Sequence, residues 1–563
     1  MGASATLAPH ARDRNGRVEG NTYARRQPEE SVLYGVVQRE LETFLARAQA
    51  RERPVPRFVE RELRGFLRCG ILAHGFVRVH CDECGLDRVV AFSCKGRGFC
   101  PSCGGRRMAD TAAHLVDRVL PQVPVRQWVL SLPFALRYRL AYDASLTSAV
   151  LGVFVRGIFA SLRRRAREQW GVNRGQCGAV TFVQRFGGAL NLNVHFHSLL
   201  LDGVYAHGSN GSVRFLPLPP PDDEEVARVV GQVARRIACL LERRGLGPEW
   251  DPTQADPLAD EEPLLAALYG ASVAGRIATG RRAGQRVVRV GDCIDPAELP
   301  TLEGERCASA SGMSLHANVA VPARDRLRLE RLCRYVARPP VATERLSRLE
   351  DGRLLYHLKH RWRDGTTHVV FEPQELVEKL AALVPPPRFH LVRYHGILGP
   401  CASARDRVVP GGRPTQEHRD PSPTPTSRLS PVAMAEDVPG ATGREVPGRA
   451  RDLPPQGLAQ EDGRTLSELD PPSDGAPSQD APTPRLRHLA WSELLRRVFA
   501  IDVLECPRCG GRMRLLAAIH PPDSTRSILG CLDLPSRAPP VAAPQPDGGE
   551  GGVSWAGGFD AGA

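Results

Sequence analysis

The stretch that decides the fold runs from residue 184 to residue 205 and reads QRFGGALNLNVHFHSLLLDGVY. Its second half is apolar with polar residues at alternate positions, which predicts a β-strand with successive side chains on opposite faces. We interpret the glycine pair at 187–188 as a two-residue turn, so the stretch predicts a hairpin. His195 and His197 then share one face of the strand, and Phe196 lies on the other.

The face that carries the two histidines is polar. With the two-residue turn, Gln184, Asn191 and Asn193 fall on the same face, which would make a poor hydrophobic core. Two imidazoles at this spacing can bind one divalent cation and leave coordination positions open for a phosphate oxygen and water. Ordinary histidines on a half-exposed strand would show the same spacing, so the pair alone leaves both interpretations open.

Two cysteine pairs indicate a metal site. Cys81 and Cys84 form one CxxC pair, and Cys100 and Cys103 form a second one in the pattern C-x2-C-x15-C-x2-C. This spacing is typical of four thiolates around one structural Zn²⁺. Cys94 lies between the pairs and is either a spare ligand or a buried thiol, and we favour the buried thiol.

A third pair, Cys506 and Cys509, lies near the C-terminus in CPRCGG. One such pair supplies half of a zinc site. His520 and Cys531 are candidates to complete it, and a free pair of thiols without metal is the alternative.

The charge of the chain favours a polyanionic partner. The formal net charge is +12 and the pI is about 9.2, and arginine, which suits bidentate phosphate contact, carries nearly all of the positive charge. A GC-rich genome would produce the same bias. Four basic residues accompany the predicted zinc site and are candidates for DNA contact, although a solvated basic face explains them equally well: Lys95, Arg97, Arg106 and Arg107.

Composition and periodicity predict an α+β protein with several domains. We expect a disordered basic arm (1–28), a helical and zinc-binding domain (29–118), a catalytic domain (119–401), a disordered linker (402–485), a small C-terminal CxxC module (486–536) and a disordered tail (537–563). We find no apolar run of about 18–20 residues and no secretory signal, so we expect no membrane association and a reducing cytoplasm.

A tyrosine lies in a predicted helix with basic neighbours. Tyr335 occurs in RLERLCRYVARPP (328–340), where the two prolines end the helix. Arg334 and Arg338 are close to it along the chain and are further candidates for DNA contact. A phenol that attacks a phosphodiester needs cations around the phosphate. A single tyrosine in a helix is more often part of a core or an interface.

Taken together, these motifs resemble the HUH rolling-circle transposases of the insertion-sequence-91 family, including the related common-region elements. The resemblance covers about residues 30 to 400 and 486 to 535. The stretches that carry it are HCDECGLDRVVAFSCKGRGFCPSC (80–103), QRFGGALNLNVHFHSLLLDGVY (184–205), SLHANVAV (314–321), LCRYVARPPVATERLS (332–347), residues 362–400, and FAIDVLECPRCGGRMRLLA (499–517).

The resemblance implies an antiparallel sheet flanked by helices, and the chemistry of a single-strand DNA nuclease. His195 and His197 would bind a catalytic Mg²⁺ or Mn²⁺, with His316 as first choice and Gln184 as second choice for a third ligand. Tyr335 would attack single-stranded DNA at the element ends and leave a 5′-phosphotyrosyl intermediate and a free 3′-OH. Strand transfer would complete transposition in the bacterial cytoplasm, in association with the nucleoid.

One position departs from the family pattern. Some members carry a second tyrosine four residues earlier, where this chain has Arg331, so the sequence predicts a single-tyrosine version. Tyr394 is a less favoured candidate for a second nucleophile. A plasmid replication initiator or relaxase would share the chemistry, and a non-catalytic zinc DNA-binding relic would share the motifs. The oligomeric state is left open.

Overall fold

The computed structural model describes residues 25–208, 212–246, 256–291, 304–411, 490–499 and 502–545. All of them belong to one compact unit formed by Met1–Pro414 and Arg487–Ala563. The predicted arm before residue 25, the linker from residue 412 to 485 and the tail after residue 545 lie outside the described residues.

The described residues form helices and antiparallel strands in mixed order, in agreement with the predicted α+β class. The helices are α1 (Val32–Ala50), α2 (Arg57–Arg68), α3 (Pro101–Arg118), α4 (Phe134–Tyr142), α5 (Ala144–Trp170), α6 (Asp223–Glu242), α7 (Pro257–Glu261), α8 (Pro263–Val273), α9 (Arg326–Val336), α10 (Pro373–Leu383), α11 (Trp491–Phe499) and α12 (Asp523–Cys531). The strands are β1 (Phe76–Cys81), β2 (Asp87–Ala91), β3 (Val125–Ser131), β4 (Gly178–Phe186), β5 (Leu192–Leu201), β6 (Gly203–His207), β7 (Val213–Pro217), β8 (Val288–Gly291), β9 (Cys307–Ala310), β10 (Met313–His316), β11 (Ala320–Val321), β12 (Leu346–Arg348), β13 (Leu354–His357), β14 (Thr366–Phe371), β15 (Val392–Gly396) and β16 (Met513–Ile519).

A seven-stranded sheet forms the centre of the fold. Its order is β15-β4-β5-β3-β10-β9, with β11 beside β3, and its paired strands are antiparallel. Two smaller sheets, β12-β13-β14-β8 and β6-β7, complete this region. The strand that carries the two histidines, β5, is the third in the order, and it therefore has a paired neighbour on each side.

Helices cover both faces of the central sheet. On one face, Phe196 of β5 stacks on Phe154 of α5 with ring centroids 6.2 Å apart. On the other face, Phe182 and Leu199 pack in one hydrophobic cluster with residues of α3 and with Leu332 and Val336 of α9. Because β5 alternates, the histidines lie on the face that α9 covers.

Helix α5 is the central core helix. The Asp143 side chain caps its N-terminus by accepting a hydrogen bond from Leu146 N at 2.8 Å, and Gly171 ends it at φ 66°. By length and composition α5 could cross a membrane, but 67% of its most apolar window is buried inside the protein. Its packing against the sheet explains its apolar composition.

The turn of the His hairpin is longer than the predicted two residues. Gln184 lies opposite His195, and Phe186 lies opposite Leu192, with an irregularity in the ladder between the two pairs. Gly187 N donates to Asn191 O at 2.8 Å and closes the loop between the strands. The glycine pair therefore begins a longer loop, which extends to Asn191. The irregularity in the ladder shifts the register by one residue.

The C-terminal CxxC segment is not a separate module, in contrast to the sequence-based prediction. Strand β16 pairs with β1 from Phe76 opposite Ile519 to Cys81 opposite Met513, and the sheet has the order β16-β1-β2. A strand near the C-terminus thus completes a hairpin near the N-terminus, a pairing that local sequence patterns do not report.

Two predicted boundaries also differ from the structure. Residues 402–411 belong to the folded region, since Ala404, Val408 and Val409 are buried in the cluster beneath α9. The first part of the predicted tail contacts α1, where Gln545 N donates to Thr43 Oγ1 at 3.0 Å. Both segments are short and rich in small or polar residues, so composition alone assigned them to the linker and the tail.

Candidate metal and tyrosine site

His195 presents a nitrogen that is ready to bind a metal. Its Nδ1 lies 2.8 Å from the backbone oxygen of Asn193. A carbonyl oxygen only accepts, so Nδ1 carries the proton and Nε2 keeps a lone pair. A hydrogen bond that fixes the tautomer in this way is typical of histidine ligands.

His197 has a comparable environment. The amide nitrogen of Gln127 lies 2.7 Å from Nδ1 of His197, and a half-turn of that amide places its carbonyl oxygen there to accept from Nδ1–H. Nε2 of His197 is buried and has no hydrogen-bond partner among the described residues. The ring centroids of His195 and His197 are 4.9 Å apart, so the two imidazoles are close neighbours on one face of the sheet.

Both histidines are neutral at neutral pH. Burial lowers the pKa of His195 to about 4 and lowers the pKa of His197 well below its ordinary value. The positive charge of nearby Arg338 lowers both further. A neutral imidazole is the form that binds a metal ion, so the site favours ligation over protonation.

Gln184 is the third group at this position. It lies directly opposite His195 on the neighbouring strand. Its Nε2 donates to Val336 O at 3.1 Å, which fixes the amide, and its Oε1 is buried without a hydrogen-bond partner in the described part of the chain. A buried acceptor without a donor is unfavourable unless a cation or water satisfies it.

His316, the preferred third ligand in the sequence analysis, lies elsewhere on the sheet. It pairs with Val129, which in turn pairs with His197, so one full strand separates the two histidines. Among the described residues, His316 does not form a group with His195 and His197 in which all ligand atoms lie within 4.8 Å of one another. Nε2 of His316 lies 3.7 Å from Cys307 Sγ.

Tyr335 lies in the last turn of α9, at the edge of the histidine site. Its ring is 6.3 Å from the ring of His197, at an angle of 85°. The tyrosine remains 39% exposed although α9 covers the sheet. The tyrosine is therefore accessible from solvent, whereas the two histidines beside it are buried.

Two cations lie over the ring of Tyr335. The guanidinium of Arg338 is 4.3 Å from the ring centroid, and Nζ of Lys359 is 4.6 Å from it. Neither forms an ion pair with a carboxylate among the described residues, so both can contact a phosphate. No sequence motif pointed to Lys359, although it is one of only three lysines in an arginine-rich chain.

The two other arginines of α9 near Tyr335, and the alternative nucleophile Tyr394, have different surroundings. Arg334 pairs with Glu330 at 2.5 Å, so its charge is already balanced within α9. Arg331, at the position of the second tyrosine in some family members, is exposed. Tyr394 lies on β15 opposite Val180, four residues along β4 from Gln184, and packs against the hydrophobic cluster beneath α9.

The structure corrects the predicted zinc site, because the two N-terminal CxxC pairs belong to different clusters. The first, here called the local cluster, consists of Cys69, Cys94, Cys100 and Cys103. The second, here called the distant cluster, consists of Cys81, Cys84, Cys506 and Cys509.

Cys94 is thus a member of a cluster and not a surplus thiol. Cys69, which has no neighbouring cysteine in sequence, was missed. Its only local signal is the glycine that follows it, Gly70, which adopts φ 88°. Both N-terminal pairs resemble half-sites, so spacing alone cannot show which other cysteines complete them.

The local cluster has the dimensions of a zinc site. Cys69 Sγ lies 3.7 Å from Cys103 Sγ and 3.6 Å from Cys100 Sγ, and Cys94 Sγ lies 3.4 Å from Cys103 Sγ. Zn–S bonds of about 2.3 Å in a tetrahedron place the sulfurs roughly 3.8 Å apart. A disulfide would require about 2.05 Å, and all described cysteines are free.

The local cluster adjoins the tyrosine helix. Cys103 lies in the first turn of α3, and α3 packs along α9. A Cβ on Gly104 would come within 2.6 Å of Pro339, the residue that follows Arg338, so the two segments are in close contact. At the other end of α3, Arg326 of α9 donates to the carbonyl oxygen of Leu120 at 2.9 Å.

Two family models match the chain. The model described as "Transposase zinc-binding domain", of the insertion-sequence-91 type, matches residues 36–132. The model described as "Putative transposase" matches residues 178–406. Together, these two matches support a transposase of the insertion-sequence-91 type. No curated protein and no solved structure matches it.

The zinc-binding match covers one of the two cysteine clusters fully and the other only in part. It contains all four cysteines of the local cluster but only Cys81 and Cys84 of the distant cluster. The matched domain and the cysteine clusters together identify structural zinc as a cofactor of the transposase.

Two of the arginines that were predicted to contact DNA form hydrogen bonds with backbone oxygens near the local cluster. Arg107 donates to the backbone oxygens of Gly96 at 3.1 Å and Lys95 at 3.3 Å, in the loop that carries Cys94. Arg97 donates to the backbone oxygen of Phe389. Both arginines remain exposed, as do Lys95 and Arg106, so this surface is basic around the metal site.

Proposed function

We propose that the transposase cuts single-stranded DNA by nucleophilic attack of Tyr335, at a site where His195, His197 and Gln184 hold Mg²⁺ or Mn²⁺. The observation that carries this proposal is the convergence of a metal-ready histidine pair and an exposed tyrosine on the face of the central sheet that α9 covers. The described residues contain no third His, Cys, Asp or Glu in a cluster with the two histidines. The buried Oε1 of Gln184 supplies the remaining ligand.

The reaction is a transesterification. The Tyr335 hydroxyl loses its proton, its oxygen forms a bond to phosphorus, and the bond from phosphorus to the 3′ oxygen breaks. The products are a 5′-phosphotyrosyl bond and a 3′-OH that has gained a proton. Attack by a 3′-OH on the phosphotyrosyl bond reverses these changes and transfers the strand. The bound cation would polarise the phosphate.

Arg338 and Lys359 balance charge during this step. Both cations lie within 5 Å of the Tyr335 ring centroid. As the phenolate forms and the phosphate gains negative charge, preorganised cations stabilise the transition state more than the ground state. Lys359 is exposed and Arg338 is half-buried, so a DNA backbone that approaches Tyr335 from solvent would meet Lys359 first and Arg338 beneath it.

The basic surface of the zinc-binding region would hold the DNA. Because α3 packs on α9, DNA bound near Lys95 and Arg106 lies on the same body as the tyrosine helix. We place single-stranded element ends and target DNA here. Arginine–phosphate contacts make such binding weaker at higher salt.

The test is a cleavage assay with single-stranded oligonucleotides that tile the DNA on both sides of the gene, labelled at the 3′ end. With Mg²⁺ or Mn²⁺ we expect a covalent protein–DNA adduct that retains the label, as seen on a denaturing gel. EDTA and Tyr335→Phe should both abolish it. Tyr394→Phe is the matched control and should form the adduct at the wild-type rate.

The outcomes separate the candidate functions. An adduct that persists in Tyr335→Phe would keep the reaction class and reassign the nucleophile. Absence of an adduct with every strand would favour a non-catalytic DNA-binding relic. The same assay, titrated with Mn²⁺, tests the third ligand: Gln184→Leu should raise the half-maximal Mn²⁺ concentration by at least about tenfold, and His316→Ala should not.

A further inference from the structure

We propose that the distant cluster binds one Zn²⁺ that fastens the C-terminal segment, residues 490–545, to the N-terminal hairpin of β1 and β2. Neither family match contains this site as a whole, since Cys506 and Cys509 lie beyond both matched ranges. The proposal rests on the geometry of two facing CxxC turns and does not depend on the proposed nuclease chemistry.

The first turn, CDECGL (81–86), has the backbone geometry of a zinc knuckle. Cys81 N donates to Leu86 O at 2.9 Å, and Gly85 N donates to Cys81 O at 2.9 Å. Gly85 adopts φ 72°, a conformation that favours glycine. A backbone hydrogen bond from Leu86 also reaches the sulfur of Cys84.

The second turn, CPRCGG (506–511), repeats these contacts at the same positions. Cys506 N donates to Gly511 O at 2.8 Å, and Gly510 N donates to Cys506 O at 2.9 Å. Gly510 adopts φ 75°. Gly511 N donates to the sulfur of Cys509, with a distance of 3.4 Å. Each turn thus bends the chain so that both of its sulfurs point the same way.

The two turns face each other with their sulfurs in contact. Cys81 Sγ lies 3.5 Å from Cys509 Sγ, and Cys84 Sγ lies 3.5 Å from Cys506 Sγ. All four sulfurs lie within 4.8 Å of one another. These separations fit a tetrahedral zinc site and exceed a disulfide bond length of about 2.05 Å.

Backbone donors support the thiolate form. N–H groups that donate to metal-bound sulfur stabilise its negative charge, in the same way that outer contacts orient other metal ligands. Each turn supplies one such donor to its second cysteine, from Leu86 and from Gly511. The two turns therefore have equivalent geometry, and the short distances between their sulfurs bring all four to one site.

Contacts around the cluster align the two halves but provide little apolar core. Arg514 pairs with Asp82 at 2.9 Å, and Arg88 donates to Val503 O at 3.0 Å. The hydrophobic cluster at this place has four buried members, and two of them are the cysteines Cys81 and Cys506. Little apolar surface is buried at the cluster itself, so the ion would add to the β1–β16 ladder and to the small apolar cluster of Phe76, Val89 and Leu529 that also join the two segments.

The sequence-based candidates for completing the C-terminal pair lie elsewhere. The ring of His520 packs against Phe92, with centroids 5.1 Å apart. Cys531 is exposed at the end of α12. Neither belongs to the distant cluster, so the partner of the C-terminal turn is the N-terminal turn.

The fastened segment reaches the tyrosine helix. Helix α11 directly precedes the second cysteine turn, and its Arg497 pairs with Glu330 of α9 at 2.8 Å. Arg497 also donates to Asp117 of α3 at 3.0 Å. The zinc ion would therefore help to hold α11 as a brace between α3 and α9, the helix that carries Tyr335.

The test measures zinc in the full-length chain by mass spectrometry and maps the alkylation of each thiol. We expect two zinc ions per chain, one for each cluster. Cys506→Ser/Cys509→Ser should leave one zinc, and it should expose Cys81 and Cys84 to alkylation while the local cluster stays protected. Cys531→Ser, in the same segment, should keep two zinc ions.

Retention of two zinc ions and of protected Cys81 and Cys84 in the double variant would overturn the proposal. If that variant is insoluble, Cys509→His decides the question, because histidine also ligates zinc. With Co²⁺ in place of Zn²⁺, the visible absorption bands of Cys509→His should shift as one site changes from four sulfur ligands to three sulfurs and one nitrogen, and bands identical to those of the wild type would overturn the proposal. DNA cleavage is not a readout here, so failure of the nuclease proposal would leave the result unaffected.

Discussion

The local cluster and the distant cluster use the same chemistry in different ways. The sequence separation is 34 residues between Cys69 and Cys103, and 428 residues between Cys81 and Cys509. Closing a loop about thirteenfold longer costs roughly 2 kcal/mol more in chain entropy. Identical ligands can therefore make one cluster part of a domain core and the other a link between distant segments.

The two clusters also differ in the size of the apolar core around them. Cys69, Cys100 and Cys103 are buried within the largest hydrophobic cluster, together with residues of α1 and α2. In the distant cluster, Cys81 and Cys506 are buried in an apolar cluster of only four residues, and Cys509 is exposed. A metal ion in the local cluster holds an apolar core in place, whereas a metal ion in the distant cluster mainly joins two surface turns.

The largest effect is therefore expected from Cys100→Ser/Cys103→Ser. Structural zinc contributes roughly 10–16 kcal/mol of binding free energy, which is comparable to or larger than the typical stability of a domain, about 5–15 kcal/mol. We expect this variant to lose its cooperative thermal transition, as measured by circular dichroism. Cys239→Ser replaces an exposed thiol outside both clusters and should melt like the wild type.

A wild-type melting curve for Cys100→Ser/Cys103→Ser would contradict the assignment of the local cluster to the core. Partial unfolding that leaves α3 and α9 packed would show that the hydrophobic contacts between these helices suffice without the metal.

A smaller effect is expected from Cys506→Ser/Cys509→Ser. The local cluster and the central sheet remain, so the main transition should persist, and the C-terminal segment should become sensitive to protease. Limited proteolysis followed by mass spectrometry would locate the new cleavage sites between residues 490 and 545. Cys531→Ser serves as the control for the same segment.

The comparison between the clusters would fail if both double variants unfolded to the same extent. That result would mean that the distant cluster, despite its exposed position, is as essential to the core as the local cluster.

The smallest effect is expected from Arg497→Ala. Glu330 would keep its pair with Arg334, so only part of the brace is lost. Such a partly exposed ion pair contributes on the order of 1 kcal/mol or less. We expect slightly faster proteolysis of the C-terminal segment, with no change in zinc content. Arg496→Ala replaces the exposed neighbour and should behave like the wild type, and an equal change in both variants would rule out a specific brace.

Local patterns in the sequence predicted the elements of the catalytic region well. Alternation predicted β5 and its polar face, and periodicity with two terminal prolines predicted the tyrosine helix α9. These features depend on neighbouring residues, so they can be read without the tertiary structure. The register of the hairpin could not be predicted from the sequence, since it depends on an irregularity between Gln184 and Phe186.

Some contacts between the site residues could likewise be predicted from the sequence, and others could not. The pairing of His195 with His197 follows from strand geometry. The proximity of Gln127 and Lys359 does not, because Gln127 comes from β3 and Lys359 from the loop after β13. The choice between His316 and Gln184 as a neighbour of the histidine pair depended on strand order, which places β3 between β5 and β10.

The sequence by itself determined the class of fold, the histidine pair, the tyrosine helix and the presence of cysteines suited to zinc. Only the tertiary structure decided which cysteines lie together, and it joined Cys81 and Cys84 to a pair more than 400 residues away. The physical reason is that zinc requires four sulfurs at about 2.3 Å in a tetrahedron and is indifferent to their order along the chain. Spacing reports the two sulfurs of one turn, and the folding of distant segments selects the other two.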